Sequence, residues 1–494
     1  MATSSEENSL SPPQAHWDAS GYLYANALFD SLVQIGADGQ VHPYLAESVT
    51  PNADYTAWTI KVRPGVVFHD GTPCDGGAVK MSLDAIRSSF VTGSALGPMT
   101  GTKLVDPGTV VVHLDQPWVP FASYLASQLG YVAAPAMLRN GSNQGGNHPI
   151  GTGPFVFEDW VPGDHLTVRH NPHYWQKGYP YLDGITFRPV ADPSTRGEAL
   201  LGGGVQLIHT NYALSVRSFL GNHAYRVVQG ILPAGAEPDV DFIMLNCAAP
   251  PTNDPDVRRA LALALDSRQL EQTFGAGLTE LVSGPFQPGS TYYGSTPYPA
   301  HDPAAARQLV DAYAARHGAP PAVELTTIPG AEYSDILGVV QQQWASAGIQ
   351  VSTNQVEQSA LITQVLLGKY QAVTFQQFFT TDPDQNYVWW SAQTVAPVGG
   401  ISLNLARNRD PAIQAALETG RRNAEPAVRA QAYRTVADRL AVDLPYLWIG
   451  KTVWAAIGTP EVAGVASQTL PDGTPGIGFV DGVFLLHQVR LNGS

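Results

Sequence analysis

Residues 45–73 read LAESVTPNADYTAWTIKVRPGVVFHDGTP, and the reading of the whole chain grows outward from this stretch. Within it, TAWTIKV (56–62) alternates with a period of two, the pattern of a half-buried strand, and Pro64-Gly65 stops it. Just downstream, Asp75 to Ser89 carries Val79, Leu83 and Ile86 at helical spacing, and DPGTVVVHL (106–114) reads as a turn followed by a second strand. FVFEDW (155–160) and HLTVRH (165–170) are strands joined about Pro162-Gly163-Asp164, and DFIMLNC (241–247) is a short apolar strand. One helix is expected over 255–274, with Asp254 as its N-cap and Pro255 in its first turn. Further helices are expected at 303–317, 333–347, 410–423 and 426–443, with strands at 323–328 and 349–356. This order predicts an α/β protein whose second α/β lobe begins near residue 246.

Composition bounds the function. A chain of 494 residues exceeds one core and predicts two or three domains. Its net charge of −15 repels phosphate backbones, so no nucleic-acid partner is expected. Cys74 and Cys247 form no CxxC; they exclude a disulfide framework and a cysteine-rich metal site, and leave open whether they pair. No apolar run approaches the roughly 18–20 residues of a membrane span. The opening MATSSEENSLSPPQAHW has neither a basic nor an apolar leader segment, which fits either a cytoplasmic protein or one whose export signal has been removed.

No GxSxG, HExxH, GxxxxGK[ST] or GxGxxG occurs, so hydrolase, zincin and nucleotide readings lack an anchor. His165, His170 and His173 are the one histidine cluster, but Asn171-Pro172 turns the chain between the last two, so neither a metal nor a cofactor is expected. His69-Asp70 looks like the start of a catalytic dyad, yet Gly71-Thr72-Pro73 makes it a turn. Six lysines against 21 arginines suggest a GC-rich bacterial genome, in which the match of Asn140-Gly141-Ser142 to the N-glycosylation pattern has no default meaning.

Four segments together resemble the family 5 extracellular solute-binding proteins of ABC importers, the oligopeptide, dipeptide and nickel binders. The first is Leu45-Ala46-Glu47-Ser48 with Trp58-Thr59-Ile60-Lys61-Val62-Arg63 and Phe68-His69-Asp70-Gly71-Thr72-Pro73. The second is Gly151-Thr152-Gly153-Pro154-Phe155 with Trp160, Pro162-Gly163, Asn171-Pro172 and Tyr174-Trp175. The third is Leu245-Asn246, Pro250-Pro251, Asp254, Val257-Arg258 and Ala264-Leu265-Asp266; the fourth is Leu444-Pro445-Tyr446.

The resemblance implies a two-lobed periplasmic-binding-protein-like fold of type II, in the large class with an extra inserted subdomain. Lobe I would combine 1–40, 155–245 and 455–494, with 41–154 inserted, and lobe II would be 246–454. It also implies a monomer that captures a solute between closing lobes and delivers it to an ABC permease and ATPase complex. Its place would be extracytoplasmic, in the periplasm or as a cell-surface lipoprotein, the signal peptide being absent from this chain. Solution scattering checks the closure: a tight solute is expected to make the protein more compact.

Peptide binders of the family carry a Trp and, three residues later, an Asp that pairs with the peptide's α-ammonium. Alignment on Asp382-Pro383 puts Gln376 at that Trp and Phe379 at that Asp. An ammonium buried against Phe379 would lack its counter-charge, so common di- and tripeptides are expected to raise the melting temperature little. Gln376, Gln377, Phe378 and Phe379 instead suggest amides and aromatic faces suited to a peptide-like, neutral, aromatic or amide-bearing solute. Asp382, Trp389 and Trp390 join them as ligand-binding candidates, with Tyr24, Asn26 and Asp30 from the first lobe and Tyr446 and Trp448 near the C-terminus. For Phe378, Trp389 and Trp390 a plain core role is an equal alternative. Two rival functions stay open: a secreted amidase or glycosidase using Asp30 and Asp382, and a sensor or adhesin on the same fold.

Overall fold

The alternation in 56–62 becomes the strand Ala57–Val62, which buries Trp58, Ile60 and Val62 and turns Lys61 to solvent. The computed structural model describes all residues except 16, 90–91, 140–145, 231, 233–235, 378 and 493–494, and omits the side chains of 331–333. Phe378 and the Asn140-Gly141-Ser142 pattern therefore lie outside the described residues. The chain divides into two units, Met1–Ala236 with Val453–Ser494, and Glu237–Thr452.

In the first unit, Ala57–Val62 sits in a four-stranded antiparallel sheet with Ala46–Pro51, Thr109–Leu114 and Met99–Asp106. The helix Gly76–Ser88 covers it: Asp75 accepts from the Ala78 N–H at 3.0 Å as N-cap, and Val79, Leu83 and Ile86 are buried. A second sheet of seven strands runs in the order 226–229, 455–458, 207–210, 2–3, 184–189, 165–170, 155–161. The segment 41–154, expected as an inserted subdomain, has its own sheet, but its core residues Trp58, Ile60 and Val112 belong to one apolar cluster with Phe155, Val168 and Phe187.

The turn at 151–154 packs directly on the end of the helix Ala19–Leu28. A Cβ on Gly151 would stand 2.0 Å from the Leu28 carbonyl oxygen, and one on Gly153 2.4 Å from the Leu28 carbonyl carbon. Both contacts are with backbone, so nothing can rotate away. Gly153→Ala is expected to destabilise the protein by about 1–3 kcal/mol, a loss that thermal unfolding would register.

The second unit holds a five-stranded sheet in the order 350–355, 322–327, 372–377, 240–245, 446–451. Val240–Leu245 runs antiparallel to both neighbours and has a core on each face. Ile243 and Leu245 pack with Trp344 and Leu447; Phe242 and Met244 pack with Tyr433, Tyr446 and Trp448.

Three boundaries differ from the sequence expectation. The 240–245 strand belongs to the second unit, not the first, because its hydrogen bonds go to 372–377 and 446–451. Val453 and Trp454 belong to the first unit, where the Trp454 ring lies 5.4 Å from that of His209. The helix expected over 255–274 is two helices, Pro255–Ala264 and Ser267–Phe274, because Asp266 accepts from the N–H groups of Arg268 and Gln269, both at 3.1 Å, and starts a new one. Cys74 and Cys247 are both free thiols. Among the described residues no helix is long and apolar enough to cross a membrane.

Candidate functional site

Most of the candidates of the second unit gather where the strand Ala372–Gln377 ends and a loop leads into the turn Pro383–Asn386. The antiparallel register sets Gln376 across from Asp241 and Gln377 across from Val240. Gln376 is half-buried, and its Nε2 donates to Asp239 Oδ2 at 3.3 Å. Gln377 is buried, and its Nε2 has no hydrogen-bond partner among the described residues. Phe379 is half-buried.

Asp382 does two jobs. It caps the turn through Asp384 N–H at 2.9 Å and receives Arg429 Nη2 at 2.7 and 2.5 Å on its two oxygens. Burial pushes the Asp382 carboxyl up from its ordinary value, and the Arg429 charge opposes that rise. A side chain so engaged organises the loop, and the same holds more strongly for Asp384, which sits fully buried against Arg421. Trp389 is half-buried, whereas Trp390 is buried with its ring edge-on to Phe286 at 6.2 Å. Tyr446 and Trp448 are buried beside Phe242, with ring centroids 4.8 and 5.4 Å from it. Trp390, Tyr446 and Trp448 are thus part of the second unit's core.

Tyr24, Asn26 and Asp30 lie in the first unit at the end of the Ala19–Leu28 helix, and all three are buried there. The Tyr24 hydroxyl is 2.7 Å from Thr3 Oγ1 and donates to the Ser5 carbonyl at 3.1 Å. Asn26 accepts from the Tyr131 hydroxyl at 2.5 Å and donates to the Phe484 carbonyl at 3.2 Å. Asp30 accepts from Thr152 Oγ1, Tyr174 Oη and Trp175 Nε1 at 2.8, 3.0 and 2.9 Å. These three side chains therefore spend their polar atoms within their own unit.

His69 and Asp70 spend their hydrogen bonds within their own turns rather than on each other. His69 Nε2 lies 3.0 Å from the Gly153 carbonyl and Nδ1 accepts from the Gly151 N–H at 3.3 Å, while Asp70 accepts from Thr72. Burial lowers the His69 pKa to about 4, so the ring stays neutral and pins the 151–153 turn. Among the described residues no group of three His, Cys, Asp or Glu is placed to hold a metal ion.

Sequence reasoning missed Glu237, Asp239 and Asp241, which lead into the 240–245 strand beside the two glutamines. Burial raises the Asp241 carboxyl to about 6 and that of Glu237 to about 8. The available signal was EPDVDF (237–242), acids alternating straight into an apolar strand that must be buried.

Comparison with known proteins gives this geometry its family. The description "Bacterial extracellular solute-binding proteins, family 5 Middle" matches residues 40–396. The glutathione-binding protein GsiB of Pectobacterium atrosepticum is 26% identical over 493 residues, covering 96% of this chain and 91% of that protein. GsiB of Salmonella paratyphi A is 30% identical over 403 residues, covering 80% of this chain and 75% of that protein. Among solved structures, the ABC transporter-associated periplasmic binding protein DppA from Helicobacter pylori, in complex with the peptide STSA, superposes with a TM-score of 0.85. It is 21% identical, and the match covers 99% of this chain and 97% of that one. The chain belongs to the family 5 bacterial extracellular solute-binding proteins and is the solute-binding component of an ABC-type importer.

Proposed function

We propose that the solute is peptide-like, rich in amide groups, and held at the 376–380 strand end of the second unit. The observation that carries this reading is the adjacent pair of side-chain amides, Gln376 half-buried and Gln377 buried, beside Phe379. A carboxamide donates and accepts in one plane and so matches a peptide group, while the phenyl face covers apolar surface. The likeness to two glutathione-binding proteins supports a small peptide of this kind. Phe379 supplies no charge for an α-ammonium, while Gln376 donates to Asp239 and stands across the ladder from Asp241.

The protein acts outside the cytoplasmic membrane, in the periplasm or tethered to the cell surface, and releases its solute unchanged. Binding by the folded state alone stabilises it by about 2.7 kcal/mol at a hundredfold excess over Kd. Glutathione carries its ammonium two carbons further from its first amide than trialanine does and so need not set that charge against Phe379. It is therefore expected to raise the melting temperature clearly and to be recovered intact after incubation, and trialanine to raise it little. Stabilisation by trialanine as strong as by glutathione would remove the part assigned to Phe379. Loss of glutathione mass would remove the non-catalytic reading.

A further inference from the structure

Asp241 stands inside the antiparallel ladder of the second unit, with Gln376 directly opposite on one side and Gly450 on the other. Its side chain leaves the sheet on the face that Ile243 and Leu245 occupy further along the strand. Opposite residues of an antiparallel pair hold their Cβ atoms about 4.5–5.5 Å apart, so the Asp241 carboxyl and the Gln376 amide are neighbours on that face. Gly450 adds no side chain to the row, and Thr279 fills the place its Cβ would take.

Asp239 decides which way the amide faces. It precedes Asp241 by two residues and shares its face, and its Oδ2 receives Gln376 Nε2 at 3.3 Å. A carboxylate only accepts, so the nitrogen turns towards Asp239 and Gln376 Oε1 is left as an acceptor. The row thus sets an amide oxygen beside a carboxylate. Gln376 and Asp241 are both half-buried, so a solute group can reach them, whereas Asp239 is buried.

Charge narrows what that group can be. The three strands 240–245, 372–377 and 446–451 contain one basic residue, Lys451. It stands opposite Val240, on the other face, and pairs with Glu280. Burial raises the Asp241 carboxyl to about 6, and no cation among the described residues opposes the rise. A half-buried anion beside an amide oxygen is complementary to a compact cation that carries several N–H donors.

We propose that Asp241, with Gln376 Oε1 beside it, forms an acceptor subsite that takes the ammonium of the solute. This rests on the reading of the 376–380 strand end as the solute site. It makes Asp241 a determinant of specificity, supplying from the neighbouring strand the charge that Phe379 lacks.

Asp241→Asn keeps the shape of the side chain and removes its charge. Glutathione and its N-acetyl derivative, which has no ammonium, are titrated calorimetrically into the parent and the variant. The parent is expected to bind glutathione on the order of tenfold more tightly than the acetylated probe. The variant is expected to lose on the order of tenfold for glutathione. It is expected to bind the acetylated probe within about twofold of the parent, which also shows that its fold is kept. Equal affinity of the parent for the two probes, or a loss in Asp241→Asn that is the same for both, would overturn the subsite. Failure of both probes to bind the parent would instead remove the glutathione-like solute, and γ-aminobutyramide, an amide carrying an ammonium, then decides the subsite. It is expected to raise the melting temperature of the parent and not that of Asp241→Asn; a rise that is absent or equal in the two would overturn the proposal.

Discussion

Arg421→Ala is expected to cost about 3–5 kcal/mol of stability. Arg421 stands in the last turn of the helix Pro411–Arg422 and is 3% exposed, while its partner Asp384 is fully buried in the turn Pro383–Asn386. Its Nε donates to both Asp384 oxygens at 3.0 and 3.1 Å, and its guanidinium lies 3.5 Å from the centroid of the Tyr387 ring. Removing the cation leaves a carboxylate in a dry site and uncovers an aromatic face. The pair itself need not be worth that much, because two charges were taken out of water to make it. The double variant Asp384→Leu/Arg421→Met is therefore expected to lie closer to the parent than either single change. Denaturant unfolding of the four proteins checks this, and a single-variant loss below about 1 kcal/mol would mean the pair is screened like a surface bridge. The same contact ties the loop after Gln377 to the 411–422 helix, so a loosened turn should also weaken solute binding at the 376–380 strand end.

What was legible in the sequence was local. The period-two run at 56–62 and the Asp-Pro starts at 254–255, 302–303 and 410–411 needed only neighbouring residues, and all became a strand or helix starts. The break at Asp266 was also local, with Gln269 three residues on, but the apolar spacing of 255–274 ran through it and masked it. Pairings between distant segments were not legible. Nothing near residue 240 says that its strand sits between 372–377 and 446–451, so the boundary between units was misplaced by nine residues, that strand and the three before it. Gln376 and Gln377 stood out because a resemblance pointed at their position. Asp241 did not, because its partner across the ladder, Gln376, lies far from it along the chain.

Asp30 shows how such distance changes the meaning of a residue, and it carries a second large prediction. From its segment it reads as an acid free to meet a cationic solute; in the structure its three donors come from Thr152, Tyr174 and Trp175. Burial raises its pKa from 3.8 to about 6, the three hydrogen bonds pulling the other way without prevailing. The sign follows from which state holds the proton. Below pH 4 the folded and unfolded chains are both protonated at Asp30. Between about 4 and 6 the unfolded chain has released the proton and the folded chain has not, so stability falls as pH rises through this window. The total is about 3 kcal/mol, flat above pH 6, and order-of-magnitude in size. Asp30→Asn cannot titrate, so its stability relative to the parent is expected to rise by about 3 kcal/mol between pH 4 and pH 7. Denaturant unfolding of both proteins at each pH isolates that difference from every other titrating group. A difference that shrinks with rising pH would mean the three donors prevail and the carboxylate is ionised in the fold. Because those bonds are all internal to the first unit, Asp30→Asn should change this pH slope while leaving glutathione affinity in place; a lost affinity with an unchanged slope would return Asp30 to the solute.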